Sequence, residues 1–219
     1  QMSLYTSNLS ANRGKCVQMC RRKYEVKDVD SGKELVLDNN LVMSRSDLCT
    51  IGLLEKLVET GIKTIKIEGR ARSADYVDTV IKVYKEALEL IKVNKYAKEE
   101  KAKLMDKLKT VFNRGFSSGF YLGRSTDEWA NGENNLATET KKLLGKIEHF
   151  YQKIKVAEIK LPENNRVNNS DEYIIIGPST GVYRDKFFDI KTEKNILTFK
   201  TKQKVRKNDK LFLVIKNEN

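Results

Sequence analysis

Apolar and polar positions in the first half of the chain alternate in ways that predict helices and a strand. Apolar residues recur at helical spacing between Ser46, which can cap a helix, and Gly61, which can end one. Residues 63–67, Lys-Thr-Ile-Lys-Ile, alternate as a strand does. A second helix begins after Ser73, and a third spans about residues 96–112. This order of elements predicts an α/β layer with a parallel sheet.

In the second half of the chain, apolar and polar residues alternate with the two-residue period of β-strands. Alternating apolar runs are separated by turn residues and occupy residues 153–161, 172–176, 196–200 and 210–215. We therefore predict three parts. Residues 1–124 form an α/β domain, residues 125–140 are a polar linker, and residues 141–219 form a small antiparallel β-barrel or sandwich.

Composition narrows the classes of partner and location. The 219 residues contain 42 Lys and Arg against 30 Asp and Glu, a net charge of +12, which favours phosphate-rich or anionic partners. No window approaches the roughly 18 apolar residues of a membrane span, and the first residues lack the layout of a signal peptide. We expect a cytoplasmic protein with no membrane partner; the sequence does not indicate an oligomeric state.

Two of the three cysteines favour metal or redox chemistry. Cys16 and Cys20 lie in a basic segment predicted to be a long loop, residues 3–24. Thiolates bind soft metals, and nearby Arg and Lys side chains lower thiol pKa values. The alternative is a pair of ordinary thiols. A site with four ligands needs two more thiolates, whereas we expect Cys49 to be a buried small apolar residue inside the first helix.

A second candidate site is an anion-binding turn between the predicted strand and the second helix. Such a turn lies where α/β folds place ligands and where free amide groups attract anions. Its charged side chains, with two more from the cysteine segment, are the candidate anion ligands: Lys66, Glu68, Arg70, Arg72, Arg21 and Lys23. The alternative is a solvated charged loop with a weak Glu–Arg pair.

Two further groups could bind RNA. One is a cationic run around a C-terminal strand: Lys200, Lys202, Lys204, Arg206 and Lys207. The other is Trp129 with the aromatic residues between 116 and 121, which could stack bases. A solubilising face and interdomain packing are the respective alternatives.

Residues for a recognised peptidase site are not found in this sequence. There is no His-Glu-x-x-His motif. His149 is the one histidine, and a lone histidine at the start of a β-domain most often has a structural role. Asp30-Ser31-Gly32 imitates the aspartic-protease triplet, but no second triplet occurs. These residues suit the turn of a hairpin between residues 24–26 and 34–37.

Three blocks of sequence together resemble one family. They are residues 12–24, NRGKCVQMCRRKY; residues 66–73, KIEGRARS; and residues 113–123, NRGFSSGFYLG. In this order and spacing they are similar to the collagenase-like peptidase family U32.

The resemblance implies a (βα)-barrel-type domain followed by a small β-barrel similar to the second domain of translation elongation factors, here residues 144–215. It also implies that Cys16 and Cys20 match the third and fourth cysteines that bind an iron–sulfur cluster in several bacterial relatives. The first two would precede Gln1, so we expect this chain to be the C-terminal portion of the protein, with the cluster absent from the isolated chain. Met19 replaces a proline that is frequent before the fourth cysteine, and Cys49 matches no ligand.

The resemblance implies a function as well. We expect the intact protein to be an iron–sulfur-dependent factor that hydroxylates tRNA or rRNA, with a small anionic cosubstrate such as prephenate, and the isolated chain to be inactive. A collagenase-like protease, as the family label states, is the alternative. A non-catalytic RNA-binding module is a further alternative.

Overall fold

A computed structural model describes residues 2–35, 41–123, 128–130, 135–163 and 165–217. The chain divides into two compact units, residues 1–72 with 79–137, and residues 73–78 with 138–219. The mixed α/β class is confirmed by the helices and strands described below. The predicted boundaries near 124 and 141 stay predictions, and the predicted linker overlaps residues outside the described ranges.

The first unit holds most of the helical structure. Its helices are α1 (Met2–Ser7), α2 (Leu54–Glu59), α3 (Ala74–Lys92), whose first turn belongs to the second unit, and α4 (Lys98–Lys109). The start of α3 directly after Ser73 agrees with the predicted helix. The apolar stripe of α3 is buried at Val83 and Ala87, and that of α4 at Leu104 and Leu108, as helical spacing requires.

The strands of the first unit are short and form two pairs. β1 (Val26–Lys27) and β2 (Glu34–Leu35) are antiparallel, which confirms the predicted hairpin; its residues 36 and 37 lie outside the described ranges. β3 (Asp47–Leu48) and β4 (Phe116–Ser117) are parallel. This second pair joins segments that are far apart in sequence.

The prediction of a strand at residues 63–67 is wrong. These residues have no regular secondary structure, and Ile65 is 40% exposed. An alternating pattern makes a strand only where a neighbouring strand supplies hydrogen-bond partners. Within the described part of the chain no strand pairs with this segment, so its backbone stays irregular.

The first predicted helix is shorter than expected. β3 and a 3₁₀ turn, Ile51–Leu53, take up its first half, and α2 begins at Leu54. Cys49 therefore precedes the helix, although it is buried as predicted. Gly61 has φ +81°, the left-handed conformation expected after a helix end. The cysteine segment also differs from a plain loop, because it contains α1 and 3₁₀ turns at Ala11–Arg13 and Met19–Arg21.

The second unit is built on a seven-stranded antiparallel sheet. Its strands are β5 (Glu139–Tyr151), β6 (Val156–Lys160), β7 (Glu172–Gly177), β8 (Gly181–Lys186), β9 (Lys191–Glu193), β10 (Ile196–Lys200) and β11 (Lys210–Lys216). The order across the sheet is β8-β7-β11-β5-β6-β10-β9. The four predicted alternating runs coincide with β6, β7, β10 and β11, whereas β5, β8 and β9 were not predicted.

β5 serves both halves of this sheet. Its residues 139–146 pair with β11 and its residues 147–151 pair with β6, and Gly145, near the change of partner, has φ +153°. Packed aromatic rings form the core: Tyr173 lies 4.6 Å from Phe187 and 5.2 Å from Phe199 between ring centroids, and all three are fully buried. The shared strand and the aromatic core hold this unit together.

A buried carboxylate fixes the turn between β7 and β8. Asp209 Oδ2 accepts hydrogen bonds from Thr180 Oγ1 at 2.5 Å and from the Arg206 amide at 2.8 Å. A Cβ atom on Gly177 would lie 1.7 Å from Asp209 Oδ1. Only glycine therefore fits at this position.

None of the described helices is long and apolar enough to cross a membrane.

Candidate functional site

The parallel pair β3–β4 places a turn of the chain beside Asp47. The Asp47 amide donates to the Gly115 carbonyl at 2.9 Å. Asn113, which is 3% exposed, shapes the turn because its Nδ2 donates to the Val111 carbonyl and its Oδ1 accepts from the Gly115 amide. Gly115 has φ +81°, which glycine adopts without strain. The turn thereby directs Arg114 at β3.

Arg114 and Arg72 converge on the carboxylate of Asp47. Asp47 Oδ1 accepts from Arg114 Nη1 at 3.1 Å and from Arg72 Nη2 at 3.4 Å, and Oδ2 accepts from the Arg114 amide at 3.1 Å. Both guanidinium groups lie over the Phe112 ring, 4.9 and 4.2 Å from its centroid. The three charged side chains are between 14% and 19% exposed, so they are held in a partly dehydrated place.

Arg21 adds a third guanidinium group. Its Nη1 donates to the Arg45 carbonyl at 2.6 Å and to the Ser44 hydroxyl at 2.9 Å. Burial, together with the nearby positive charges of Arg21 and Arg72, lowers the pKa of Arg114 even though Asp47 opposes the shift. We call Arg21, Arg72, Arg114 and Asp47 the arginine group. Three positive charges against one negative charge leave a surplus of two, which suits an anion with a charge of −1 or −2.

The turn at residues 68–72 contacts the cysteine segment. Glu68 Oε1 accepts from the Arg70 amide at 2.6 Å, and Arg70 Nη2 donates to the Asn12 carbonyl at 2.9 Å. The Arg72 amide donates to the Gly69 carbonyl at 3.1 Å. The turn thus presents Arg72 to the arginine group and Arg70 to the segment that carries the cysteines.

Cys16 and Cys20 are both exposed. Cys16 Sγ lies 3.4 Å from Ser3 Oγ and accepts a hydrogen bond from the Gln18 amide at 3.3 Å. The bond with Ser3 and, to a smaller extent, the bond from the Gln18 amide lower the pKa of the Cys16 thiol, because they stabilise the thiolate. Cys20 lies in the 3₁₀ turn Met19–Arg21, directly before Arg21 of the arginine group.

Cys49 has a different environment. It is 8% exposed, and its Sγ lies 4.0 Å from the Tyr84 hydroxyl. Burial raises the pKa of the Cys49 thiol, and burial followed by the charge of Cys49 raises that of Tyr84 to about 12. Both groups are therefore neutral at pH 7, and the buried, uncharged thiol agrees with the predicted apolar role.

Cys16 and Cys20 are suitable ligands for a soft metal, but two thiols are fewer than a metal centre with four ligands needs. Exposed thiols with a stabilised thiolate are what an iron–sulfur cluster binds. Within the described ranges no three His, Cys, Asp or Glu side chains lie close enough together to hold a metal ion. Cys16 and Cys20 are two thiols, whereas an iron–sulfur cluster with four thiolate ligands would require two more.

The structure separates the six predicted anion ligands. Arg21 and Arg72 belong to the arginine group, whereas Arg70 binds the cysteine segment and Glu68 binds the Arg70 amide. Lys23 and Lys66 are exposed, and neither takes part in the contacts that define the arginine group. The sequence reading missed Asp47 and Arg114. Arg114 could have been predicted as a site residue, because it lies in the third sequence block, residues 113–123.

The predicted cationic run of the second unit is partly neutralised. Lys200 Nζ lies 2.7 Å from Asp189 Oδ2, and Lys202 Nζ lies 3.0 Å from Asp185 Oδ1. Ion pairs of this kind reduce the positive potential that a phosphate backbone would meet. The arginine group, with its surplus of charge, is the better candidate for binding anions.

The arginine group takes one arginine from each of the three sequence blocks, namely Arg21, Arg72 and Arg114, and the first block also carries Cys16 and Cys20. The model of Peptidase family U32 matches residues 1–131. The chain is therefore a member of Peptidase family U32.

Relatives in this family have different names. A collagenase of Porphyromonas gingivalis is 41% identical over 226 residues, which cover 99% of this chain and 54% of that protein. An uncharacterized protease of Methanocaldococcus jannaschii is 34% identical over a match that covers 82% of this chain and 44% of that protein. tRNA hydroxylation protein P1 of Bacillus subtilis is 28% identical, covering 81% and 42%. The chain thus spans about half the length of these relatives, and no solved structure matches it significantly.

Proposed function

We propose that this chain is part of an enzyme that hydroxylates a base of tRNA or rRNA. The observation that carries the proposal is the arginine group, in which Arg72 and Arg114 both bind the Asp47 carboxylate and the charge of Arg21 lies near Arg114. Relatives named for hydroxylating tRNA and rRNA support it. A cytoplasmic location, which keeps thiols reduced, belongs to the same proposal.

The arginine group would bind the anionic part of a substrate. Arginine presents its N–H donors in a planar fork that matches a carboxylate or a phosphate. Asp47 holds Arg72 and Arg114 in place, so their orientation is set before the ligand arrives. The ligand would be an RNA phosphate or a small anionic cosubstrate such as prephenate.

Cys16 and Cys20 would hold one side of an iron–sulfur cluster in the longer protein, with the two other thiolates supplied from outside this chain. Bound there, the cluster would supply electron transfer. Hydrogen bonds from Ser3 and the Gln18 amide lower the pKa of the Cys16 thiol, and Arg70 anchors the segment through Asn12. The chain's own residues thus prepare the sulfur ligands.

Two details of the fold belong to the proposal. The sharing of β5 between β11 and β6 supports closure of the sheet into a small β-barrel. The parallel pair β3–β4 supports a place for the first unit in a (βα)-barrel-type domain.

The test uses the full-length protein purified without oxygen. We expect iron and sulfide to copurify with the wild type and to be lost from the double variant C16A/C20A, while C49A, which alters no ligand, keeps its iron. We expect hydroxylated nucleosides to disappear from the tRNA or rRNA of a strain that lacks the gene, and to return with the wild-type gene but not with C16A/C20A. Equal iron in all three proteins, or unchanged nucleosides, would contradict the proposal.

A second candidate function is proteolysis. It is favoured by the collagenase of Porphyromonas gingivalis, which matches 99% of this chain. The full-length protein would then cleave gelatin in proportion to its concentration, in the presence of controls with chelator and with inhibitors of each peptidase class. Cleavage that persists in C16A/C20A would favour this candidate over hydroxylation.

A non-catalytic RNA-binding module is the third candidate. In that case the protein would bind RNA with an affinity that falls steeply with salt, yet the gene deletion would leave every nucleoside unchanged. The same nucleoside analysis therefore separates it from the hydroxylase.

A further inference from the structure

Three large apolar side chains are exposed just after β4. Phe120 is 69% exposed, Tyr121 55% and Leu122 69%. Contiguous exposed apolar side chains on a folded protein mark binding surfaces more often than chance. These three side chains are therefore a candidate binding surface.

Arg45 lies against the ring of Phe120. The distance from the Arg45 guanidinium carbon to the Phe120 ring centroid is 5.1 Å, and that to the Trp129 ring centroid is 5.9 Å. The backbones of Arg45 and Trp129 form an antiparallel bridge. One guanidinium group is thus held beside two aromatic rings, the more exposed of which is Phe120.

The position of Arg45 is fixed by a carboxylate. Arg45 Nη2 donates to Glu128 Oε2 at 3.3 Å, and Glu128 also accepts hydrogen bonds from the hydroxyl groups of Ser117 and Ser118. The bond from Ser117, followed by that from Arg45, lowers the pKa of Glu128, so the carboxylate stays charged at neutral pH. Glu128 therefore holds the Arg45 guanidinium group beside the two rings.

Arg45 also connects this surface to the arginine group. Its carbonyl accepts the hydrogen bond from Arg21 Nη1 at 2.6 Å. Exposed aromatic rings that adjoin ordered cations are the arrangement by which proteins bind single-stranded nucleic acid, since bases stack on the rings and phosphates meet the cations. The net charge of +12 favours the same polyanion.

We propose that Phe120 and Arg45 form a stacking surface for an unpaired RNA base, while the arginine group binds a neighbouring phosphate. The inference rests on the proposed function and adds to it the residues that contact the RNA. Trp129 and Glu128 are positioning residues, because they hold Arg45 against the ring of Phe120.

The test compares the affinity of variants of the full-length protein for a fluorescein-labelled single-stranded RNA, measured by fluorescence anisotropy at several salt concentrations. We expect F120A to bind at least about fivefold more weakly, the lower range for loss of one base stack. F120W, which restores an aromatic surface, should recover the affinity. The matched control is Y5A, since Tyr5 is an aromatic residue that is 93% exposed on α1, and it should bind as the wild type does.

The salt dependence separates stacking from phosphate contacts. F120A should keep the wild-type slope of affinity against salt, because no phosphate contact is lost, whereas R114A should reduce the slope. Equal affinities for F120A and Y5A would overturn the inference and leave the proposed function, which is tested by iron and nucleoside content, intact.

Two other results would also overturn it. A labelled collagen-type peptide that loses affinity in F120A, while RNA does not, would make the surface a peptide site. A wild-type protein that binds no RNA even at low salt would remove both this inference and the proposed action on RNA.

Discussion

Replacing Asp47 by Asn tests whether the arginine group is an anion site. Asp47 is 19% exposed and accepts three hydrogen bonds, from Arg72 and twice from Arg114. Partly buried hydrogen bonds to charged groups contribute about 1.5–3 kcal/mol each, and asparagine keeps one acceptor oxygen. We therefore expect Asp47→Asn to lower the free energy of unfolding by about 2–3 kcal/mol. For a chain of this size, that lowers the melting temperature by roughly 4–12 °C.

The assay is thermal unfolding in phosphate and in chloride buffers of equal ionic strength. Asp47→Asn removes the one negative charge of the arginine group, so phosphate should stabilise this variant more than it stabilises the wild type. The control is Asp106→Asn, which removes an exposed partner of Lys109 and should change the free energy of unfolding by less than about 0.5 kcal/mol. If the two variants melt alike, or if phosphate stabilises wild type and Asp47→Asn equally, the reasoning is wrong.

Two further predictions concern other parts of the chain. Gly177→Ala should lower the free energy of unfolding by more than about 2 kcal/mol in denaturant titrations, because its Cβ would meet Asp209 Oδ1 at 1.7 Å. Gly52→Ala, whose Cβ meets no atom within 4 Å, should change it by less than about 1 kcal/mol, and equal losses would refute the argument. At pH 7.5 iodoacetamide should label Cys16, whose pKa is lowered, much faster than the buried Cys49, whose pKa is raised, because only the thiolate reacts. Mass spectrometry of the labelled peptides measures the rates, and equal rates would contradict the assigned environments.

Local periodicity predicted the elements whose buried and exposed side chains repeat regularly along the chain. The long stripe of α3 and the alternating runs of β6, β7, β10 and β11 follow from side-chain spacing alone. The same rule failed at residues 63–67, where the alternation is present but the described chain contains no partner strand. β5 was missed because its two buried residues, Leu144 and Ile147, are three positions apart and do not alternate as the residues of a half-buried strand do.

The candidate site could be predicted in part. Arg21 and Arg72 were found because basic residues near a cysteine pair or a helix start attract anions. Asp47 was not found, because its bond to Arg114 spans 67 residues of sequence and depends on the parallel pairing of β3 with β4. Contacts of this kind leave no local pattern.

The central place of β11 in the sheet has a consequence for how the second unit is made. β8 and β7 lie on one side of this strand and the other four strands lie on the other, so the backbone hydrogen bonds between the two sides run through β11. A ribosome synthesises β11 after all six of its companions, and hence the seven-stranded order cannot be completed during synthesis until this strand has left the exit tunnel. Until then, β5 and β7 expose unpaired edges, and this interval is when the nascent chain most needs protection from aggregation.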